Sequence, residues 1–221
     1  MLLLALDTST PAVTVALHDG ERAVAHSTHA DARRHTELLA PAISDVLAEA
    51  GVDRREITGV AVGIGPGPFT GLRVGVTAAR TLGTALDVPV VGVCSLDIIA
   101  REVTMREAPH GSPFLVVTDA RRREVYWSAY DSAGVRTRGP EVGPASGIPD
   151  ALPAAGAGAR TYRDAFPGLL EPEFPSAVFL AAAVVDGAVD TCEPRPLYLR
   201  RPDAAPPAAR KPVLTPVHPS R

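Results

Sequence analysis

The sequence predicts an α/β protein made of two related units, each opening with a strand, a turn and a second strand. Three observations carry this expectation. Residues 2–7 (LLLALD) form a short apolar run ending on aspartate, followed by a polar turn and an alternating segment that closes at Asp19. Residues 114–119 (FLVVTD) repeat that order and close at Asp131. The two aspartate pairs have the same separation, with Val125 and Trp127 standing where Val13 and Val15 stand in the first copy. Between the copies, apolar residues pass from a period of two to a helical period and back, as strands joined by helices do. The echo is either a chance likeness of two hairpins or a duplicated unit; duplication predicts two lobes of similar topology.

The elements follow in order. Residues 2–6 read as a buried strand, Thr8-Ser9-Thr10-Pro11 as a turn, and Val13, Val15 and Leu17 as one face of a second strand. Asp19-Gly20 is a hairpin signal, and residues 22–28 read as a third strand. Leu38, Leu39, Ala42, Ile43, Val46, Leu47 and Ala50 recur at helical spacing, with Gly51 placed to stop the helix. Pro41 lies inside that pattern, so the helix starts near Ala40, or near Thr36 with a bend. Residues 60–64 read as a strand, 68–86 as a second helix, 89–93 as a strand, and 95–103 as a third helix with Ser95 as N-cap. In the second unit, residues 114–118 and 124–130 read as strands around a turn at 120–122. Residues 140–175 are rich in Ala, Gly and Pro and carry little signal; 179–189 reads either as a helix or as a buried strand. From Pro194 on, eight prolines in 28 residues predict an extended, partly disordered tail. The expected division is a first lobe over 1–105, a smaller second lobe over 106–200 and a disordered segment over 201–221.

Bulk properties exclude several classes. The chain has 221 residues, 46% of them hydrophobic, and a formal net charge of −3, which argues against nucleic-acid binding by bulk electrostatics. The apolar start is cut short by Asp7, and no stretch approaches a membrane span. A cytoplasmic protein with no membrane association is expected, and the two cysteines, Cys94 and Cys192, are expected to be free and buried.

The stretch Ile64 to Arg73 (IGPGPFTGLR) carries two readings. Glycine-rich turns at a helix N-terminus hold phosphate, yet the only lysine of the chain is Lys211. The stretch is a nucleotide cradle without its cation, or the start of a helix made for packing; the second is favoured. Gly71, Gly75, Ala79 and Gly83 lie four apart on that helix. Interior glycines cost about 1 kcal/mol each relative to alanine, so a close neighbour is implied. Either the chain's own sheet or a second molecule supplies it. An interface helix pair would then comprise Leu38, Leu39, Ala42, Ile43 and Val46 on the first helix and Phe69, Gly71, Leu72, Gly75, Val76, Ala79 and Gly83 on the second, and Gly75→Leu would break association while leaving the chain folded.

Signals of chemistry are sparse. The histidines, His18, His26, His29, His35, His110 and His218, form no metal motif, and G-x-S-x-G is absent; no metal site and no catalytic residue are expected. Asp7 with Thr8 and Ser9, together with Gly65 and Gly67, are candidate phosphate residues; the bland alternative is an Asp/Ser/Thr turn satisfying its own backbone. Arg121-Arg122-Arg123 would contact phosphate or be a solvated turn. Cys94, at a strand-to-helix turn, reads as a packed small residue rather than a reactive thiol.

The segments ALDTST (5–10), GPGPFTGLRVG (65–75), VPVVGVCSL (88–96), DARRREVY (119–126) and PLYLR (196–200) together resemble the TsaB (YeaZ-like) family, across residues 4–200. Pro68 departs from a position that is often serine there. The resemblance implies an actin/Hsp70-like ATPase fold with a reduced second lobe. It also implies a non-catalytic subunit of the tRNA threonylcarbamoyladenosine machinery, which modifies the adenosine beside the anticodon. Implied partners are a TsaD-like catalytic subunit bound through the two helices, a TsaE-like ATPase, a second copy when the chain is alone, and tRNA only through the complex. No cofactor of its own is implied; any ATP and Mg²⁺ would enter only at the joint with partner subunits. An ATP-binding enzyme of the actin-like kinase/ATPase superfamily is the alternative.

Overall fold

The run at the start of the chain is apolar on successive residues because both faces of its strand are covered. In the computed structural model, which describes residues 1–31, 34–106 and 111–200, this strand β1 (Leu3–Asp7) is central to a five-stranded sheet. It is flanked by β2 (Ala12–His18), β3 (Ala23–Ala30), β4 (Gly59–Gly63) and β5 (Val90–Val93), in the order β3-β2-β1-β4-β5. β1 pairs antiparallel with β2 and parallel with β4. A second five-stranded sheet contains β6 (Phe114–Asp119), β7 (Val125–Tyr130), β8 (Arg136–Gly143), β9 (Ala154–Ala155) and β10 (Leu169–Leu170). Its order, β8-β7-β6-β9-β10, and its pairing repeat the first sheet strand for strand. β9 and β10 have only two residues each, so the second copy is reduced, as expected.

The registers differ by one residue. Asp7 faces Thr14, whereas Asp119 faces Val125. The second hairpin is therefore one residue tighter than the overlay of the two aspartates suggests. The two aspartates also differ in their surroundings: Asp7 is fully buried and Asp119 is exposed.

Helices cover both sheets, and two of them cross over. α1 (His35–Ala50) and α2 (Phe69–Leu86) lie on one face of the first sheet, where Leu39, Ala42, Val46, Val76 and Ala79 meet Leu4, Leu6, Val13, Val15 and Val62. The opposite face, small at Ala5, Ala16 and Ala61, receives Ala177, Leu180 and Ala181 of α5 (Ala177–Val185), which comes from the second half of the chain. In exchange, α3 (Ser95–Arg106) places Leu96, Ile99 and Val103 against Phe114, Val116 and Tyr130 of the second sheet. The other face of that sheet is covered around the short α4 (Ala157–Thr161), with Ala159 and Phe166 against Leu115, Val117 and Trp127. Residues 179–189 are thus resolved as mostly helix: α5 is uniformly apolar because it is buried between layers, a pattern that periodicity does not separate from a buried strand.

Several local expectations hold and some are corrected. α1 begins at His35 and includes Pro41, and Gly51 ends it in the left-handed conformation, φ 67°. Ser95 is not an N-cap; its hydroxyl donates to Asp7 instead. Cys94 and Cys192 are both free, but only Cys94 is buried. The stretch from Pro194 to Arg200 has no regular element, yet it is pinned: Leu197 N donates to Ile64 O at 2.8 Å, and Arg200 Nη1 donates to Ala120 O at 2.9 Å. It forms a strap across the two sheets. The segment over 201–221 lies outside the described residues, as do His110 and His218.

The small-residue strip of α2 is internal, which corrects its assignment to a subunit interface. A Cβ on Gly71 would stand 2.5 Å from Thr8 O, on Gly75 2.4 Å from Thr8 Oγ1, and on Gly83 2.1 Å from Val90 Cγ2. Leu72, Val76 and Ala79, and Leu39, Ala42 and Val46 on α1, are buried with them. The helix must approach β1 and its turn closely, and only residues without bulk allow it. Gly75→Leu therefore tests the fold, not association. Gly75→Ala is expected to lower stability by roughly 2 kcal/mol, within the range of core overpacking, read as a fall in the thermal or urea midpoint; an unchanged midpoint would refute the close approach.

Candidate protein-docking site

The turn after β1 is a sealed polar joint. Asp7 has no exposed surface. Its Oδ1 accepts from Ser9 N and Ser9 Oγ, both at 2.7 Å, and its Oδ2 accepts from Ser95 Oγ at 2.6 Å. Ser95 Oγ in turn accepts from Gly65 N at 3.0 Å, and Thr8 Oγ1 donates to Gly71 O at 2.7 Å. One carboxylate thus ties the end of β1, the glycine-proline turn and the start of α3. Burial pushes its pKa up, against the hydrogen bonds from Ser95 and Ser9 and the nearby His35, which pull it down. Gly67 closes over the same turn: a Cβ there would stand 2.1 Å from Ser9 O. Asp7, Thr8, Ser9, Gly65 and Gly67 are therefore brought together, as the sequence implied, but the space between them is filled by the chain itself.

An open apolar groove lies instead between α1 and α2, with a volume of about 870 Å³. Its walls are Leu39, Ala40, Ile43 and Leu47 from α1 and Phe69, Val74, Ala78 and Leu82 from α2, with Arg73 and Arg54 at its margin. Of the expected interface residues, Leu39, Ile43 and Phe69 line it; Leu38 is half-buried against the core. Val74, Ala78 and Leu82 were not singled out from the sequence. Their spacing of four runs beside the glycine strip and was legible. Which of two parallel strips meets the sheet is decided by how closely α2 must approach it.

A second, smaller hollow of about 240 Å³ lies between the two sheets, lined by Gly67, Phe69, Asp119, Arg121, Tyr126, Tyr198 and Arg200 among others. Tyr198 of the strap stacks on Phe69 with ring centroids 5.2 Å apart. The Arg73 guanidinium lies 4.0 Å over the Phe69 ring and donates to Tyr198 Oη at 3.1 Å. Phe69 and Arg73 are thus shared between the groove and the rim of this cleft. Arg121, Arg122 and Arg123 have φ of 59°, 55° and 64°. Left-handed backbone costs an L-residue roughly 1–2 kcal/mol each, so three in a row store considerable strain.

Elsewhere, His35 starts α1 and its Nε2 lies 2.7 Å from Thr10 O, a structural contact. Burial drives the Cys94 thiol up to about 12, so it is held neutral. Among the described residues, no group of three His, Cys, Asp or Glu side chains is placed to hold a metal ion, and no helix is long and apolar enough to cross a membrane.

Duplicated sheets of matching order, exchanged helices and an interlobe cleft define a two-lobed α/β protein. A family profile described as "TsaD: tRNA N6-adenosine threonylcarbamoyltransferase" matches residues 24–144. An uncharacterized protein of Mycobacterium tuberculosis is 46% identical over 213 residues, covering 92% of this chain and 94% of that one. The Escherichia coli tRNA threonylcarbamoyladenosine biosynthesis protein TsaB is 35% identical over 130 residues, 59% of this chain and 55% of that one. The solved structure of YeaZ from Pseudomonas aeruginosa superposes with a TM-score of 0.74 at 31% identity, covering 89% of this chain and all of that one. The chain belongs to the TsaB/YeaZ family.

Asp7→Ala leaves one amide and two hydroxyls without their acceptor in a sealed site. It is expected to destabilise the chain by about 3 kcal/mol or more, measured by urea denaturation. Because the folded pKa of Asp7 is raised, the folded state holds this proton more tightly than the unfolded state does. Its contribution is most favourable below 3.8, the unfolded value, and declines as pH rises through the folded pKa. The stability gap between wild type and Asp7→Asn should therefore move against wild type as pH rises from the acid side; a gap independent of pH would contradict the burial effect.

Proposed function

We propose that this chain is a non-catalytic scaffold subunit in tRNA threonylcarbamoyladenosine biosynthesis, presenting the α1–α2 groove to a TsaD-like catalytic subunit. The observation that carries the reading is the groove itself: an apolar channel on two adjacent helices that the chain leaves uncovered after filling both faces of its sheet. A groove of this kind accepts helices of a partner at ordinary helix-packing distances. The names of the relatives supply the pathway, and the family profile is described by the name of the transferase itself. The sealed state of Asp7 favours a structural role over phosphate chemistry.

In this reading the lobes are 1–105 and 106–200, with α3 and α5 exchanged between them. The same groove receives a second copy when the chain is alone. A TsaE-like ATPase joins the assembly, ATP and Mg²⁺ enter at the joint between subunits, tRNA is engaged through the complex, and the setting is cytoplasmic.

Co-purification with a TsaD-like partner, followed by a tRNA modification assay with and without this chain, tests the proposal. Modification at an equal rate without the chain would sink it. Isothermal titration of the isolated chain with Mg-ATP addresses the enzyme alternative, since turnover by the chain alone contradicts a scaffold. Ala78→Glu with Leu82→Glu places charge in the groove while sparing the strip that packs on the sheet. Association should weaken by about 2 kcal/mol or more, roughly thirtyfold, with the melting temperature of the isolated chain little changed.

A further inference from the structure

We propose that the arginine turn between β6 and β7, at the mouth of the interlobe cleft, is a contact for RNA phosphates. The inference rests on the tRNA pathway proposed above and assigns part of the tRNA contact to this chain. The turn is closed by Ala120 N donating to Glu124 O at 3.0 Å and Glu124 N donating to Arg121 O at 3.0 Å. Arg121 N donates to Asp119 Oδ1 at 2.9 Å. The strap secures it from the other side, where Arg200 pairs with Glu124 and donates to Ala120 O. Nothing in this framework uses the side chains of Arg121 and Arg123. Both are exposed, and among the described residues neither has an ion pair. Glu124, the acid beside them, is engaged by Arg200, and Asp119 accepts from the turn's own backbone.

Local physics disfavours arginine here. Three consecutive left-handed residues are natural places for Gly or Asn. The turn's own hydrogen bonds use none of the side chains of Arg121 and Arg123, so the use of these two lies outside the chain. The surroundings select the ligand. Arg121 lines a cleft of about 240 Å³ with Tyr126 and Tyr198. Arg73, stacked on Phe69, stands at its edge. Tyr198 is 39% exposed beside these cations, an arrangement that suits a sugar-phosphate chain better than an acidic peptide. The cleft is also continuous through Phe69 with the docking groove. An RNA seated on the partner would therefore pass the arginine turn. A net charge of −3 fits this picture, since contact is local and not a general basic surface.

The test uses the full chain assembled with its TsaD-like partner and fluorescently labelled tRNA, titrated from about 50 to 200 mM salt. For Arg121→Ala with Arg123→Ala, affinity should fall about tenfold at low salt, and the slope of log affinity against log salt should become shallower by about 1.5, as for two lost phosphates. The loss should be similar for unrelated tRNAs, and Arg121→Lys with Arg123→Lys should restore most of it. Arg121→Gly with Arg123→Gly should lose the same affinity while melting no lower than wild type, because glycine accepts the left-handed backbone. Unchanged affinity and slope in the alanine variant overturn the proposal. So does a loss seen only in variants that melt lower, or an effect confined to Mg-ATP binding with tRNA affinity intact. If no complex with a TsaD-like partner forms, the scaffold reading fails. The isolated chain is then titrated with tRNA, where an arginine-dependent affinity sustains the RNA contact and its absence removes it.

Discussion

A single buried carboxylate is the joint of the molecule. Asp7 gathers Ser9, Ser95 and, through Ser95, the amide of Gly65 at the point where β1, the glycine-proline turn and α3 converge. α2 leaves that turn and must run directly over the β1 turn, because Gly67 and Gly71 touch the backbone of Ser9 and Thr8. The small residues of α2 follow from that approach. The inward face of the helix is fixed by contact with the sheet, and its other face is left apolar and uncovered. The groove is thus a by-product of how the joint is built.

The same joint fills the space around the turn after β1 with the chain's own atoms. In the first hairpin, the aspartate at the end of the strand points into a closed site with three donors of the chain's own. In the second, Asp119 is exposed beside the arginine turn. Two copies of one motif have diverged, one into a structural knot and one into a solvent-facing rim. Burial opposes the charge at Asp7 and its donors support it; the net effect is a raised pKa.

The strap binds the parts into one unit. Cys192 pairs with Gly92, Leu197 with Ile64 and Arg200 with Ala120, so a short proline-bearing segment laces the edge of the first sheet to the turn of the second. Tyr198 sits between groove and cleft, stacked on Phe69 and held by Arg73.

The chain's local patterns determined much of this. The repeat of apolar run, aspartate, turn and alternating strand identified two related units, and helical spacing located α1, α2 and α3 within a few residues. Gly51 marked the end of α1 because a left-handed C-cap favours glycine. Tertiary structure decided the rest. Whether the strip of Gly71, Gly75, Ala79 and Gly83 faced a partner or the sheet is a question of distance, and periodicity carries direction but not distance. The helical state of residues 177–185 follows from burial between layers, which erases amphipathic contrast. The ordering of Pro194 to Arg200 depends on acceptors more than seventy residues away. The apolar groove, finally, is what remains uncovered once every internal contact has been made, and only the assembled fold defines that remainder.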